Sequence, residues 1–247
     1  MAPVQNHLGG RGRLAAPAIG GVTMNAEWEL RWLDPAAEPS SLFAEEIQKI
    51  FRDGFGIEGE GWKSERIKKT LGRCNALGLL LGKGREVYGY ALYSFPDTQL
   101  LGAWVLWEDA IALRKEAQRH GLSKQVLELA RGFYPGRRFG WIGGRTQNPA
   151  MMRRYNKQGL CYPFDVAYTE GDGPKVVDFL TEHIDEVKNV LPSFDRSTGI
   201  CAGAYIQGIL GDYSWDDTGH YESRLLQWGF DRSRGDAIIV VARVETA

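Results

Sequence analysis

The sequence predicts an α/β protein of the α+β kind, with a mixed central sheet flanked by helices and a further α/β subdomain at its C-terminal end. Two observations predict this class. Apolar segments of strand length alternate with segments of helical periodicity over residues 27–168. The segment 100–114 is almost continuously apolar, as expected of a central strand that is buried on both faces.

The first elements are a strand and two helices. Residues 27–34 alternate between polar and apolar side chains, which predicts a strand. Residues 40–56 open with two serines and then place apolar residues at helical spacing, which predicts a capped helix. A second and more basic helix is predicted over residues 61–73.

A hairpin and a central strand follow. The apolar runs 75–84 and 86–95 meet around a glycine-rich turn, which is a hairpin signal. The central strand at 100–114 comes next, and an amphipathic helix is predicted over residues 122–133. Strand and helix therefore follow each other closely in this part of the chain.

Three more elements complete the expected core. Residues 138–145 predict a strand. Residues 148–159 predict a short helix, with Pro149 near its first position and Gly159 at its end. The chain is then expected to return as a strand over residues 160–168.

The tail of the chain has its own pattern. A helix is predicted at 174–191, a strand at 199–210, a helix at 220–230 and a closing strand at 236–244. We expect residues 24–172 to form the core and residues 173–247 to form an appended subdomain that packs on the core and covers one edge of its sheet.

The leader, residues 1–23, differs from the rest of the chain. It is rich in Gly, Ala and Pro, contains no acidic residue and lacks the apolar core of a secretory signal. We therefore expect a disordered leader, with Met24 close to the start of the fold.

Charge and cysteine content exclude several classes of function. The formal net charge is -1, from 30 Lys and Arg against 31 Asp and Glu, so no overall field indicates a nucleic-acid or membrane partner. No apolar run approaches the ~20 residues of a membrane span. The three cysteines lie far apart without a C-x-x-C pair, which predicts neither a metal site nor a disulfide framework. We expect a cytoplasmic protein.

The stretch EAQRHGLSKQVLELA is rich in hydrogen-bond donors where the helix at 122–133 begins. The N–H groups of a first helical turn lack partners inside the helix and lie at the positive end of its dipole. Gly121 allows close approach of a ligand to the backbone, and Ser123 is small and adds a hydroxyl donor. Positive charge is supplied by Arg119, His120 and Lys124. The stretch favours a phosphate site, with an ordinary helix cap as the alternative.

Two motifs carry a resemblance to a known family. "QRHGLS" and "NPAMMRRYNKQGL" resemble the GCN5-related N-acetyltransferase (GNAT) family. The family's loop signature, Gln/Arg-x-x-Gly-x-Gly/Ala, is matched here except at its last position, where Ser123 is still small. The later family pattern is matched by Asn148, Tyr155, Gly159 and Leu160. The resemblance covers the core and not the tail.

The resemblance implies an acetyl-CoA-dependent N-acetyltransferase that moves the acetyl group directly to an amine. Backbone amides of the loop would bind the pyrophosphate, and the pantetheine arm would pair with the end of the fourth strand. The thioester would lie where the fourth and fifth strands diverge. The implied coenzyme A contacts are Ile111, Ala112, Leu113, Gln118, Arg119, His120, Gly121, Leu122, Ser123, Lys124, Asn148 and Tyr155.

Acyl transfer also needs proton donors and acceptors. Tyr155 matches the family position of the group that protonates the leaving thiolate, and the alternative is a tyrosine that only packs. The candidate bases are Glu108 and Asp109, two acids in an otherwise apolar strand. Either acid could instead belong to a structural ion pair.

Strand alternation favours Asp109 as the base. It places Asp109 on one face with Trp107, Ile111 and Leu113. Leu113 matches the apolar family position five residues before the glutamine, and family bases from this strand lie an even number of residues before that position. A β-bulge would reverse this parity.

Two other functions remain open. The chain could use another acyl-CoA or acceptor, or it could be a non-catalytic regulatory domain that binds acyl-CoA. Tyr155 and the acidic pair argue against the regulatory domain, since binding alone needs neither. The sequence leaves open the amine acceptor and whether the protein is a homodimer. Acceptor specificity is expected from residues 43–73 and from the tail.

Overall fold

The computed structural model describes residues 20–24, 27–35, 40–56, 63–134, 136–165, 171–205, 211 and 220–244. Their strands are β1 (Gly21–Thr23), β2 (Glu29–Leu33), β3 (Ala76–Leu81), β4 (Val87–Ser94), β5 (Trp104–Leu113), β6 (Phe139–Thr146), β7 (Cys161–Tyr162), β8 (Ile200–Cys201) and β9 (Ala237–Arg243). Their α-helices are α1 (Ser40–Phe55), α2 (Ser64–Leu71), α3 (Leu122–Gly132), α4 (Pro149–Asn156), α5 (Gly173–His183), α6 (Asp185–Lys188) and α7 (His220–Gln227).

The strands form one mixed sheet in the order β1-β2-β3-β4-β5-β6-β9-β7, with β8 pairing to β9 as well. Neighbours from β1 to β5 are antiparallel, and so are the pairs made by β9. Only β5 and β6 pair in parallel, across a connection that contains α3. The predicted fold class, a mixed sheet flanked by helices, is confirmed.

The sheet has two covered faces. Along β5, Leu106 packs in one cluster with residues of α3 and α4, such as Val126 and Met152. Its neighbour Val105 points the other way and packs with Val177 of α5. Residues of α1 and α2 pack on this second side as well. We call the two sides the α3–α4 face and the α1–α2 face.

The leader contributes to the sheet, which corrects part of the expectation for residues 1–23. β1 pairs with β2 in the register Gly21 to Arg31 and Thr23 to Glu29. All three β1 residues are exposed, so main-chain hydrogen bonds hold the strand and its side chains give no apolar signal. Residues 1–19 lie outside the described part of the chain.

The tail is not simply appended to one edge, which corrects the expected arrangement. β9 lies inside the sheet between β6 and β7, and every β9 residue except Arg243 is buried. The continuous apolar run of β9 is typical of a strand covered on both faces. The segment 173–247 therefore supplies an interior strand of the same sheet.

Two predicted strands are shorter than expected, and one predicted helix is broken. Among the described residues of the strands predicted at 160–168 and 199–210, only Cys161–Tyr162 and Ile200–Cys201 are strands. Residues 166–170 and 206–210 lie outside the described residues. The helix predicted at 174–191 is interrupted at Ile184, whose backbone is extended with φ -99 and ψ 109.

Candidate active site

The parallel pair β5 and β6 opens at its C-terminal end. Their pairing ends with Glu108 beside Gly144. Beyond this point residues 110–113 of β5 pair with β4, whereas Arg145 and Thr146 of β6 pair with β9. The two strands therefore diverge, as expected for the fourth and fifth strands of the core counted from β2. Main-chain edges of both strands border the opening.

A β-bulge in β5 lies at the mouth of this opening. Tyr93 of β4 pairs with Glu108, and the preceding residue Leu92 pairs with Ala110, so Asp109 is the extra residue. Glu108 lies on the α3–α4 face, where it contacts Tyr93. Asp109 lies on the α1–α2 face, where it contacts Cys74.

The bulge overturns the parity on which the preference for Asp109 depended. Ile111 packs with the cluster of the α3–α4 face, and Leu113 packs with Leu122 of α3. Leu113 therefore shares a face with Glu108 and not with Asp109. Asp109 and Trp107 still lie on one face, as predicted, because the bulge changes the alternation only after Asp109.

Glu108 is the centre of a buried hydrogen-bond network. Its side chain is 3% exposed and accepts hydrogen bonds from Tyr93 Oη (2.9 Å), Tyr155 Oη (2.9 Å) and Arg154 Nη2 (2.5 Å). Arg154 also donates to the carbonyl of Ser123 (3.1 Å), which joins the network to the first turn of α3. Three donors, one of which is the Arg154 cation, stabilise the buried carboxylate.

The network keeps its phenols protonated. Burial, and then the charge of Glu108, raise the pKa of Tyr155 well above its ordinary value. The same two causes raise the pKa of Tyr93. Burial is the largest single influence and lowers the Arg154 pKa, but the Glu108 carboxylate and the phenols of Tyr155 and Tyr93 together raise it overall. The hydroxyl of Tyr155 therefore remains a proton donor at neutral pH.

Gly144 makes room for the Tyr155 hydroxyl. A Cβ atom at this position would lie 2.5 Å from Tyr155 Oη and 3.0 Å from the carbonyl oxygen of Glu108. The hydroxyl thus lies against the backbone of β6, at the last paired position before the strands diverge.

Asp109 has different surroundings. Its side chain is 3% exposed, lies 3.6 Å from Arg73 Nη2 and accepts a hydrogen bond from Cys74 Sγ (3.5 Å). Burial, followed by the charge of Glu186, raises the Asp109 pKa to about 7, although Arg73 acts in the opposite direction. Asp109 therefore exchanges a proton close to neutral pH, as a general base should.

Glu186 of α6 brings the tail to this face of the sheet. Its carboxylate lies 2.8 Å from Arg145 Nη2 and accepts a hydrogen bond from Trp107 Nε1 (3.0 Å). Sequence analysis missed the partners of both acids. These are Arg73, Arg145 and Glu186 on the side of Asp109, and Tyr93 and Arg154 around Glu108. The only sequence signal was the presence of two acids in an apolar strand, which required partners without naming them.

The turn before α3 presents main-chain donors outward. Gln118 fixes the start of this turn, because its Nε2 donates hydrogen bonds to the carbonyls of Leu113 and Gly54 (both 2.9 Å). Arg119 and Gly121 have positive φ values of 66 and 70. Lys124 and Gln125 donate to the Gly121 carbonyl, and the N–H groups of residues 119–123 have no hydrogen-bond acceptor within the described residues.

The other predicted loop residues divide into exposed and structural groups. Arg119, His120 and Lys124 are exposed. Leu122 is buried against Ala117, so it anchors the turn. Ala112 is buried on the α1–α2 face. Asn148 caps α4, since its Oδ1 accepts a hydrogen bond from the N–H of Ala150 (2.8 Å).

Similar structures exist among solved acetyltransferases. Neither a protein-family model nor a curated protein sequence matches the chain. The NatC complex bound to Gag peptide and CoA is 16% identical and aligns 54% of this chain with 84% of its own, with a TM-score of 0.42. An aminoglycoside acetyltransferase from an uncultured soil metagenomic sample, in complex with trehalose, is 15% identical over 53% and 86%, with a TM-score of 0.41.

A GNAT-family acetyltransferase from Listeria monocytogenes is 12% identical, and the alignment covers 56% of this chain and 89% of that one, with a TM-score of 0.41. At these TM-scores the similarity carries no argument about activity. The strand order, the parallel pair that diverges and the donor turn after β5 are the chain's own features. These features agree with the mixed α/β fold that the sequence predicts. No helix among the described residues has the length and apolar character to cross a membrane.

Proposed function

We propose that this protein is an acetyl-CoA-dependent N-acetyltransferase that transfers the acetyl group directly to an amine. One observation carries the proposal. The opening between β5 and β6 and the donor turn before α3 both lie at the C-terminal end of β5. A long ligand with an anionic end and an extended arm fits this combination. Coenzyme A has that form, and its thioester supplies an acyl group that is reactive toward amines.

The chain's own groups fit the two ends of such a ligand. The free N–H groups of residues 119–123, with the exposed cations of the turn, would bind the pyrophosphate. The edge of β5 at residues 111–113 faces the opening and would pair with the extended arm as a further strand does. The reacting thioester would then lie beside Glu108 and Gly144.

Tyr155 is the proposed proton donor to the leaving thiolate. Its hydroxyl lies at the end of the paired region and holds its proton to high pH. Glu108 has a positioning role because it accepts a hydrogen bond from the hydroxyl, and Arg154 has one because it donates to Glu108 from the helix that carries Tyr155. This assignment gives Glu108 no direct part in proton transfer.

Asp109 is the proposed base. The amine nitrogen attacks the thioester carbonyl carbon and loses a proton to Asp109, and the carbon–sulfur bond breaks. Tyr155 gives a proton to the sulfur, so the proton lost by the amine balances the one gained by the thiolate. The acceptor would approach from the α1–α2 face, where Asp109 lies.

Replacement of Gly121 tests the proposal at the cofactor end. Coenzyme A should raise the melting temperature of the wild-type protein, since a ligand that binds only the folded state stabilises it. Gly121→Val should lose this shift, because a branched residue does not tolerate a φ of 70 and would rearrange the turn.

Gly102→Val is the matched control for this test. Gly102 has a φ of 80, and like Gly121 it has open space around the position of a Cβ. It lies at the opposite end of β5, so its variant should bear similar strain and keep the full shift. Full coenzyme A binding by Gly121→Val would overturn the assigned site. Binding without turnover on any amine would favour a regulatory domain.

A further inference from the structure

A charged cluster continues from Asp109 across the α1–α2 face. Asp109 lies 3.6 Å from Arg73, and Glu186 lies 2.8 Å from Arg145. Arg66 of α2 lies within electrostatic range of Arg73, Arg145 and Glu186. Helix α2, the diverging strands and the tail therefore bring five charged side chains to one side of the opening.

Positive charge is in excess in this cluster. Three guanidinium groups face two carboxylates, and one of these, Asp109, is half protonated near pH 7. Arg73 and Arg145 each have an ion-pair partner, whereas Arg66 has none within the described residues. The side chains of Arg145 and Asp109 are buried, so part of this excess positive charge lies away from bulk water, where a bound anion would stabilise it.

The arginines also have donors that are not used. The Nε atoms of Arg73 and Arg145 are buried and have no hydrogen-bond partner within the described residues. The side chain of Arg145 is only 4% exposed, so water does not readily replace the missing acceptor. Buried donors without partners are uncommon in folded proteins, and they are expected where a ligand completes the site.

Arg66 is the accessible member of the group. Arg66 is exposed at the surface, whereas the side chain of Arg145 is buried. The partial burial of the Arg66 guanidinium, followed by the positive charge of Arg145, lowers the pKa of Arg66. A bound anion would relieve this repulsion, and the planar guanidinium fits a carboxylate or phosphate through paired hydrogen bonds.

We propose that the acceptor carries an anionic group close to its amine, and that Arg66 binds this group while Asp109 faces the amine. The inference rests on the proposed function and names its substrate class: amino acids or similar anionic amines. Polycationic amines are disfavoured, because Arg66, Arg73 and Arg145 would repel them.

Product analogues test the site without turnover. With coenzyme A saturating, N-acetyl amino acids and their neutral amides would be compared by their shifts in melting temperature. The acids should stabilise wild-type protein more than the amides, and Arg66→Gln should remove the difference. Lys68→Gln, an exposed cation on the same helix, is the matched control and should keep it. Equal shifts from acids and amides, or an unchanged difference in Arg66→Gln, would overturn the inference.

Initial rates of thiol release test the same preference in the reaction. We expect kcat/KM to be about tenfold or more higher for amino acids than for their amides, and the ratio to approach one in Arg66→Gln. Aminoalkyl phosphates in the same assay distinguish a phosphate from a carboxylate as the preferred group. Turnover that is equal for acids and amides would reject the inference and leave the proposed function intact. No turnover on any amine would reject both.

Discussion

Glu108 and Asp109 are neighbours in one strand, yet their surroundings differ in almost every respect. Glu108 accepts two phenolic hydrogen bonds and one from a guanidinium on the α3–α4 face. Asp109 has the Cys74 thiol, the Ser94 side chain and a more distant guanidinium as partners, and its pKa is raised to about 7. The bulge that separates them turns two adjacent carboxylates toward opposite sides of the sheet.

The difference indicates that the surroundings of each carboxylate, and not its residue type, determine the role proposed for it. Both carboxylate oxygens of Glu108 already accept hydrogen bonds within the network. A buried carboxylate with a weak partner takes up a proton more readily. On this argument we propose that Asp109 moves the proton and that Glu108 holds Tyr155 in place.

The largest expected effect comes from Asp109→Asn. If Asp109 is the base, its loss should lower kcat by about 10³-fold, within the usual range for general-base catalysis. The wild-type rate should rise with pH through about 7 as Asp109 loses its proton. The variant should lack this rise. Asp178→Asn, an exposed acid on α5, is the control. An unchanged pH profile in Asp109→Asn would assign the base elsewhere.

Tyr155→Phe should lower kcat by about 10²-fold and leave coenzyme A affinity nearly unchanged. The substitution keeps the buried ring and removes only the hydroxyl, whose contribution is confined to the departing thiolate. Steady-state kinetics and equilibrium binding of coenzyme A measure the two effects separately. A turnover close to that of the wild type would make Tyr155 a packing residue.

Glu108→Gln sharpens the comparison with Asp109. We expect kcat to fall by about tenfold, because Tyr155 would be held less firmly. The pH dependence of the rate near pH 7 should persist. The free energy of unfolding should fall by about 3 kcal/mol, because Arg154 would keep a buried charge without its partner. Denaturant titration measures this loss, and Glu128→Gln on the exposed side of α3 should show little change. Loss of the pH dependence in Glu108→Gln would reverse the two roles.

Stability should also depend on pH through Asp109. Folding raises the Asp109 pKa from 3.8 to about 7, so between these values the folded protein binds a proton that the unfolded chain has lost. The stability that Asp109 contributes is present below pH 4 and is lost as pH rises through 7. The wild-type free energy of unfolding should therefore fall, relative to Asp109→Asn, by up to about 1.4 kcal/mol per pH unit in this window. Parallel curves for the two proteins would contradict the raised pKa.

The sequence predicted most elements of the fold and the position of the donor turn. Periodicity located α3 within one residue of its end and found β9, since both have strong local patterns. It could not place β9 between β6 and β7, because the neighbours of a strand depend on contacts that lie far apart in the chain. The short strands β7 and β8 hold two residues each, too few for a pattern.

The site was predicted less completely than the fold. Alternation assumed an unbroken strand, and the bulge at Asp109 is set by how β4 and β5 pair, which no local pattern records. The partners of the two acids come from distant segments: Arg154 lies 46 residues after Glu108, and Glu186 lies 79 residues after Trp107. Such pairs are specified by the packed sheet alone.

The interior position of β9 also constrains the order in which the protein can be completed. β7 and β8 are joined to the sheet through β9, although both emerge from the ribosome before it. Until β9 is synthesised, the edge of β6 remains open and its unpaired main-chain groups are available to other chains. The nascent protein therefore passes through a stage with an exposed strand edge beside the proposed active site, and insertion of β9 ends that exposure.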